Sequence, residues 1–137
     1  MNIVMNLLFL VNGNSSNIFK AHNLNPEVFE IVKIDEKVLA KPRSILEYTR
    51  KKFESIYFGC ISIDFQRFIP FMLIYILLSK CKKGGVIDED GKKVRFSIPK
   101  TLFFTIPMLI FEFIASIFIV IFSYVYYFVW WKFKTKN

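Results

Sequence analysis

One run of sequence limits what this chain can become. Between Leu102 and Trp131, thirty residues carry a single formal charge, Glu112, and the last nineteen, from Phe113, carry none. About twenty apolar residues make a helix that crosses a hydrocarbon core of roughly 30 Å. The run closes on Tyr124, Tyr126, Tyr127, Trp130 and Trp131, followed by Lys132, Lys134 and Lys136. Aromatic rings and cations in that order collect at a membrane–water interface. Phe113, Tyr127, Trp130 and Trp131 are therefore expected to anchor a membrane helix.

The whole run is too long for one straight crossing, since thirty residues at 1.5 Å each make a helix of about 45 Å. Pro107 and Glu112 divide it. The division predicts a lead-in segment over 98–112, a single transmembrane helix over 113–131 and a basic tail over 132–137. A re-entrant hairpin broken near Pro107 or Ser116 is the alternative, and cations on both flanks agree with it. Non-helical backbone at membrane depth needs protein or water to satisfy it, which a chain of 137 residues supplies poorly, so the single span is the better reading. Glu112 is read at the headgroup level between the two pieces. An intramembrane proton or transport role is the sharper alternative, but the run offers no partner charge.

The formal net charge is +8, from 19 basic and 11 acidic residues. Lys80, Lys82, Lys83, Lys92, Lys93, Arg95 and Lys100 precede the apolar run. So placed, they read as contacts to an anionic lipid surface, worth roughly 1 kcal/mol each near it, and not as a nucleic-acid patch. The first residues, MNIVMNLLFLV, lack a basic leader and a small-residue cleavage site. They read as a buried strand, and the domain they open is expected on the cytoplasmic side of a single-pass protein. Two cysteines, Cys60 and Cys81, make no disulfide framework. His22 stands alone, without a zinc-ligand pattern.

Residues 1–97 predict an α/β domain. Ile3–Val11 reads as a strand ending at the polar cluster Asn12–Asn17, with Ser16 or Asn17 capping a short helix to Leu24. Val28–Ile34 reads as a second strand and Asp35-Glu36-Lys37 as a turn. Pro42 opens a helix with an apolar face at Ile45, Leu46, Tyr48 and Phe53. Ser55–Ile63 is apolar nearly throughout, as a strand covered on both faces is. Phe68–Leu78 is an apolar helix ended by cations and a glycine pair. Asp90-Gly91, between two short apolar stretches, signals a hairpin. Strands alternating with helices predict a small Rossmann-like parallel sheet followed by a C-terminal transmembrane helix.

Three places could carry chemistry. Gly13, Asn14 and Ser15 follow the first strand, where a doubly wound fold binds ligands, yet they form no GxGxxG or P-loop and read equally as a strand–helix turn. Asp88 and Asp90 have the spacing of a DxD-like pair that holds Mg²⁺ with substrate phosphates. Beside Gly91, Asp90 is more simply a turn residue. Asp64 and Arg67, with Gln66, follow the third strand as a ligand-binding loop or as a helix cap. No catalytic triad is visible, no cofactor is indicated, and whether the chain is an enzyme stays open.

The stretches LFLVNGNSSN, VFEIVKI, IYFGCISIDFQRF and VIDEDG, in that order, resemble the N-terminal half of GT-B-type glycosyltransferases over residues 1–97. That resemblance implies a Rossmann-like half that docks the acceptor, with the nucleotide-sugar half absent from this chain. The function it implies is a membrane-anchored fragment or subunit acting on or near lipid-linked sugar acceptors in surface polysaccharide assembly, with a protein partner completing catalysis. The rival is a non-enzymatic membrane protein packed against a larger integral complex.

Overall fold

The computed structural model describes residues 5–81 and 83–135. Five strands form one sheet in the order β2-β1-β3-β4-β5. They are β1 (Asn6–Leu10), β2 (Phe29–Lys33), β3 (Ile56–Cys60), β4 (Gly84–Asp88) and β5 (Lys93–Arg95). The first four run parallel, and β5 returns antiparallel to β4. The α/β class with a mostly parallel sheet and a long C-terminal apolar helix is thus present.

The central strands are apolar throughout because both faces are covered. Successive side chains point to opposite faces, so β1 sends Leu7 and Phe9 one way and Leu8 and Leu10 the other. On the first face Phe9 stacks on Phe58 at 5.1 Å between ring centroids. There they meet Leu39 of α2 (Glu36–Leu39), Ile45 of α3 (Pro42–Thr49), and Met72 and Ile76 of α4 (Ile69–Leu78). On the second face Ile18 and Phe19 of α1 (Ser15–Ala21) cover Leu8, Leu10 and Ile87. Full burial of one such side chain stabilises by roughly 1.5–3 kcal/mol. The Tyr75 hydroxyl donates to Leu39 O and ties α4 to α2.

Local chemistry shifts several elements from their expected places. The cap of α1 is Asn14, whose Oδ1 accepts from Ser16 N at 2.9 Å, not Ser16 or Asn17. The stretch expected as a turn at Asp35–Lys37 opens the short α2. Gly84 and Gly85, expected to end a helix, begin β4 instead, because the backbone on either side comes too close for a side chain. A Cβ on Gly84 would lie 1.7 Å from Ile56 O, and one on Gly85 2.0 Å from Val94 O. Ile3 and Val4, part of the expected first strand, lie outside the described residues.

Past β5 the chain is helical from Ile98 to Lys134, 37 residues that are long and apolar enough to cross a membrane. It comprises α5 (Ile98–Lys100), a π turn over Thr101–Thr105 and α6 (Ile106–Lys134). Pro107 has no N–H for the carbonyl four residues back, and its ring crowds that carbonyl. The wider turn just before it, where Ile106 N reaches Thr101 O, lets the helix pass the proline unbroken. No hairpin turn interrupts the segment at Pro107 or Ser116, and no residue of α6 is buried.

Candidate functional site

In open α/β sheets ligands bind outside the carboxyl ends of the strands, where neighbouring strands send their connections in opposite directions. Here that point lies between β1 and β3, since β1 leads outward to β2 and β3 to β4 on the other side. Four loops meet there: 11–14 after β1, 34–35 after β2, 61–68 after β3 and 89–92 after β4.

Side chains lock three of these loops to one another. Asn12 Oδ1 accepts from Ile61 N at 2.9 Å. Asp88 is fully buried, and its carboxylate accepts from Ile63 N at 3.0 Å, Asp90 N at 3.1 Å and Lys92 N at 2.8 Å. His22 Nε2 donates to Asp88 O at 2.9 Å. Asp88 therefore spends its acceptors on backbone N–H groups, while Asp90 is exposed at the tip of the turn. Among the described residues, no group of three or more His, Cys, Asp or Glu is placed to hold a metal ion.

The loop of Gly13, Asn14 and Ser15 is occupied from within the protein. Glu89 accepts from Asn14 N and, at 3.5 Å, from Asn17 Nδ2. Gly13 has φ +89°, and a Cβ there would lie 2.6 Å from Glu89 Oε1. A carboxylate thus stands where an anionic ligand of this loop would sit. Asp64 pairs with Lys92 across the loop ends, and both are exposed. Asp64 holds the Lys92 ammonium above its ordinary pKa through that hydrogen bond. Beneath the loops, burial and then the Asp88 charge push the Cys60 thiol up to about 12.

The open space is next to this network. A cavity of about 340 Å³ is lined by Glu36, Phe65, Gln66, Arg67 and Phe68. It brings the start of α2 to the loop after β3, and so flanks the end of β1 between them. Gln66 is partly committed, its Oε1 accepting from Phe68 N at 3.1 Å. Glu36 and Arg67 supply opposite charges, and Phe65, 87% exposed, supplies an open ring face. Of the residues expected at a site, Arg67 lines this cavity, Asp64 adjoins it in sequence, Gly13, Asn14, Asp88 and Asp90 belong to the locked network, and Ser15 opens α1 beside it. Glu36, Phe65 and Phe68 escaped sequence reading. Their shared signal is position after a parallel strand, Glu36 three residues past the end of β2, and Phe65 and Phe68 five and eight past the end of β3.

A second, apolar groove of about 260 Å³ separates α4 from the helix that leads into α6. Ile69, Pro70 and Leu73 face Lys100, Phe104, Met108 and Glu112 across it. Phe113, Tyr127, Trp130 and Trp131 are exposed farther along α6, with Lys134 Nζ 4.8 Å from the Trp130 ring centre. The basic residues do not form one patch. Lys92 stands at the strand ends, and Lys93 covers the Tyr57 ring at 5.0 Å. Lys80, Lys83, Arg95 and Lys100 gather at the opposite edge, where β4 begins and β5 ends. Lys82 and Lys136 lie outside the described residues.

No protein-family model matches the chain, and comparisons with curated proteins and with solved structures return no match.

Proposed function

We propose that this chain is a membrane-anchored α/β subunit that holds the acceptor in glycosyl transfer to a lipid-linked sugar, completed by a partner that binds the nucleotide sugar. The observation that carries this reading is the Glu36–Arg67 cavity at the switch point of a doubly wound sheet joined directly to a membrane-length helix. A guanidinium pairs with phosphate, a carboxylate accepts a sugar hydroxyl, and a ring face stacks on a pyranose. The resemblance of residues 1–97 to the N-terminal half of GT-B-type glycosyltransferases, read from the sequence, implies the same role. The α/β unit lies on the cytoplasmic side of a single pass, a placement supported by Arg95 and Lys100, cations within about twenty residues ahead of the span.

The test is binding of a lipid phosphate and of nucleotide sugars to the full chain in lipid nanodiscs, with and without a soluble partner. Lipid phosphate binds the wild type, and Arg67→Ala weakens it about tenfold or more, the loss of one charge-assisted hydrogen bond. Absence of binding to both ligands under both conditions rejects the reading.

A second reading, a non-enzymatic protein packed against an integral complex, is favoured by one stripe on α6. Glu112, Ser116, Ser123 and Tyr127 recur at helical spacing and share a face. The serine hydroxyls donate to Glu112 O at 2.8 Å and Ile119 O at 2.7 Å, leaving a small, quiet surface that another helix could approach closely. Crosslinking along this stripe in membranes, with loss of crosslinks on Ser123→Leu, identifies such a partner.

A further inference from the structure

The direction in which the long helix leaves the α/β unit fixes which edge of the sheet meets lipid. Phe96 N bonds Gly84 O at 2.9 Å, so the chain departs β5 at the edge where the parallel strands begin. It does not leave the unit there. The helix climbs beside α4, and Glu112 lines the same groove as Ile69 and Pro70, the first turn of α4. That turn follows β3 and stands at the strand-end edge. The helix therefore passes the whole height of the sheet and clears the unit on the side where the Glu36–Arg67 cavity opens. The twenty-two residues from Phe113 to Lys134 remain beyond it. They make about 33 Å of helix, one hydrocarbon thickness.

We propose that the strand-end edge of the sheet lies on the bilayer, with Phe65 and the first turn of α4 in its interface, so that the cavity opens toward lipid. The occupant of this surface is the membrane itself. Ile61 and Phe65, in the loop after β3, and Phe71, in the first turn of α4, are 53%, 87% and 45% exposed at this edge. Large apolar side chains left open in a cluster mark an interaction surface. Asp64 and Lys92 neutralise each other there, and Arg67 remains for an anionic headgroup. The polar head of a membrane amphiphile then reaches the cavity without leaving the bilayer.

The inference rests on α6 spanning the membrane, and its test separates the two. A nitroxide is placed in the full chain by Phe65→Cys, Phe122→Cys or Lys52→Cys, each with Cys81→Ser. Cys60 stays in place, since its buried thiol does not label. Each variant is reconstituted in phosphatidylcholine–phosphatidylglycerol vesicles, and relaxation by oxygen and by a water-soluble nickel chelate gives the depth of the label. Position 122 is expected deep in the hydrocarbon, position 65 at interface depth with loss of chelate access, and position 52 in water. Chelate access at 65 equal to that at 52, with 122 still deep, overturns the edge assignment alone. An aqueous position 122 overturns the span and this inference with it.

Discussion

Asp88 shows how a residue whose sequence position suggests chemistry can serve structure. Its place at the end of β4, two residues before Asp90, suggests a metal pair. The folded chain turns its carboxylate inward onto the N–H groups of Ile63, Asp90 and Lys92. Spacing alone cannot separate these roles, because both need an acidic residue at a strand end. Asp88→Ala leaves buried donors unmatched, and the expected loss is about 3 kcal/mol. Thermal unfolding of the full chain in detergent, followed by circular dichroism, measures it; a loss below 1 kcal/mol removes Asp88 as the tie between the loops. Cys60, beside it, gives a second expectation. Its folded pKa, about 12, lies above the ordinary 9.0, so its contribution to stability is complete below pH 9 and is lost as pH rises toward 12. At pH 8 a thiol reagent should modify Cys81 in the folded chain and reach Cys60 only after unfolding. Two fast thiols in the folded state would contradict the burial of Cys60.

Elements whose character comes from side-chain burial were legible; those decided by backbone proximity were not. The apolar runs of β1 and β3 announced a sheet covered on both faces, and Pro42 and Pro70 marked first turns of helices. Gly84 and Gly85 misled because glycines after a helix ordinarily end it, whereas here they admit β3 and β5 to either side of β4. That closeness exists only once the strands are paired. Gly84→Ala forces a Cβ into Ile56 O and puts alanine at φ +132°. An expected loss of about 3 kcal/mol or more follows from steric overpacking and the strained backbone together. Gly91→Ala is the comparison, since its nearest new contact is a comfortable 3.8 Å and only its φ of +86° opposes the change. The two should differ clearly in melting temperature, and equal losses would mean that β4 can shift to accommodate a side chain.

At the scale of the whole molecule, sequence order and spatial order part company over charge. In sequence, the cations from Lys80 to Lys100 all precede the apolar run and look like one juxtamembrane cluster. The fold separates them because β5 reverses direction and the following helix then climbs the height of the sheet. A five-residue strand spans about 17 Å, twice the roughly 8 Å screening length at physiological salt. With the strand-end edge on lipid, Lys80, Lys83, Arg95 and Lys100 stand too far from the headgroups to feel them strongly. The candidate cavity was partly legible through Arg67, but its other wall, Glu36, comes from a different loop and is joined to it only by strand order. A nitroxide at Lys83→Cys, with Cys81→Ser, is therefore expected to stay as open to a water-soluble nickel chelate as one at position 52, in zwitterionic vesicles and in vesicles rich in phosphatidylglycerol alike. The spanning helix holds the chain in either bilayer, so the label reads the position of this edge and not retention of the protein. Protection at position 83 that grows with phosphatidylglycerol content would place the opposite edge of the sheet on the membrane.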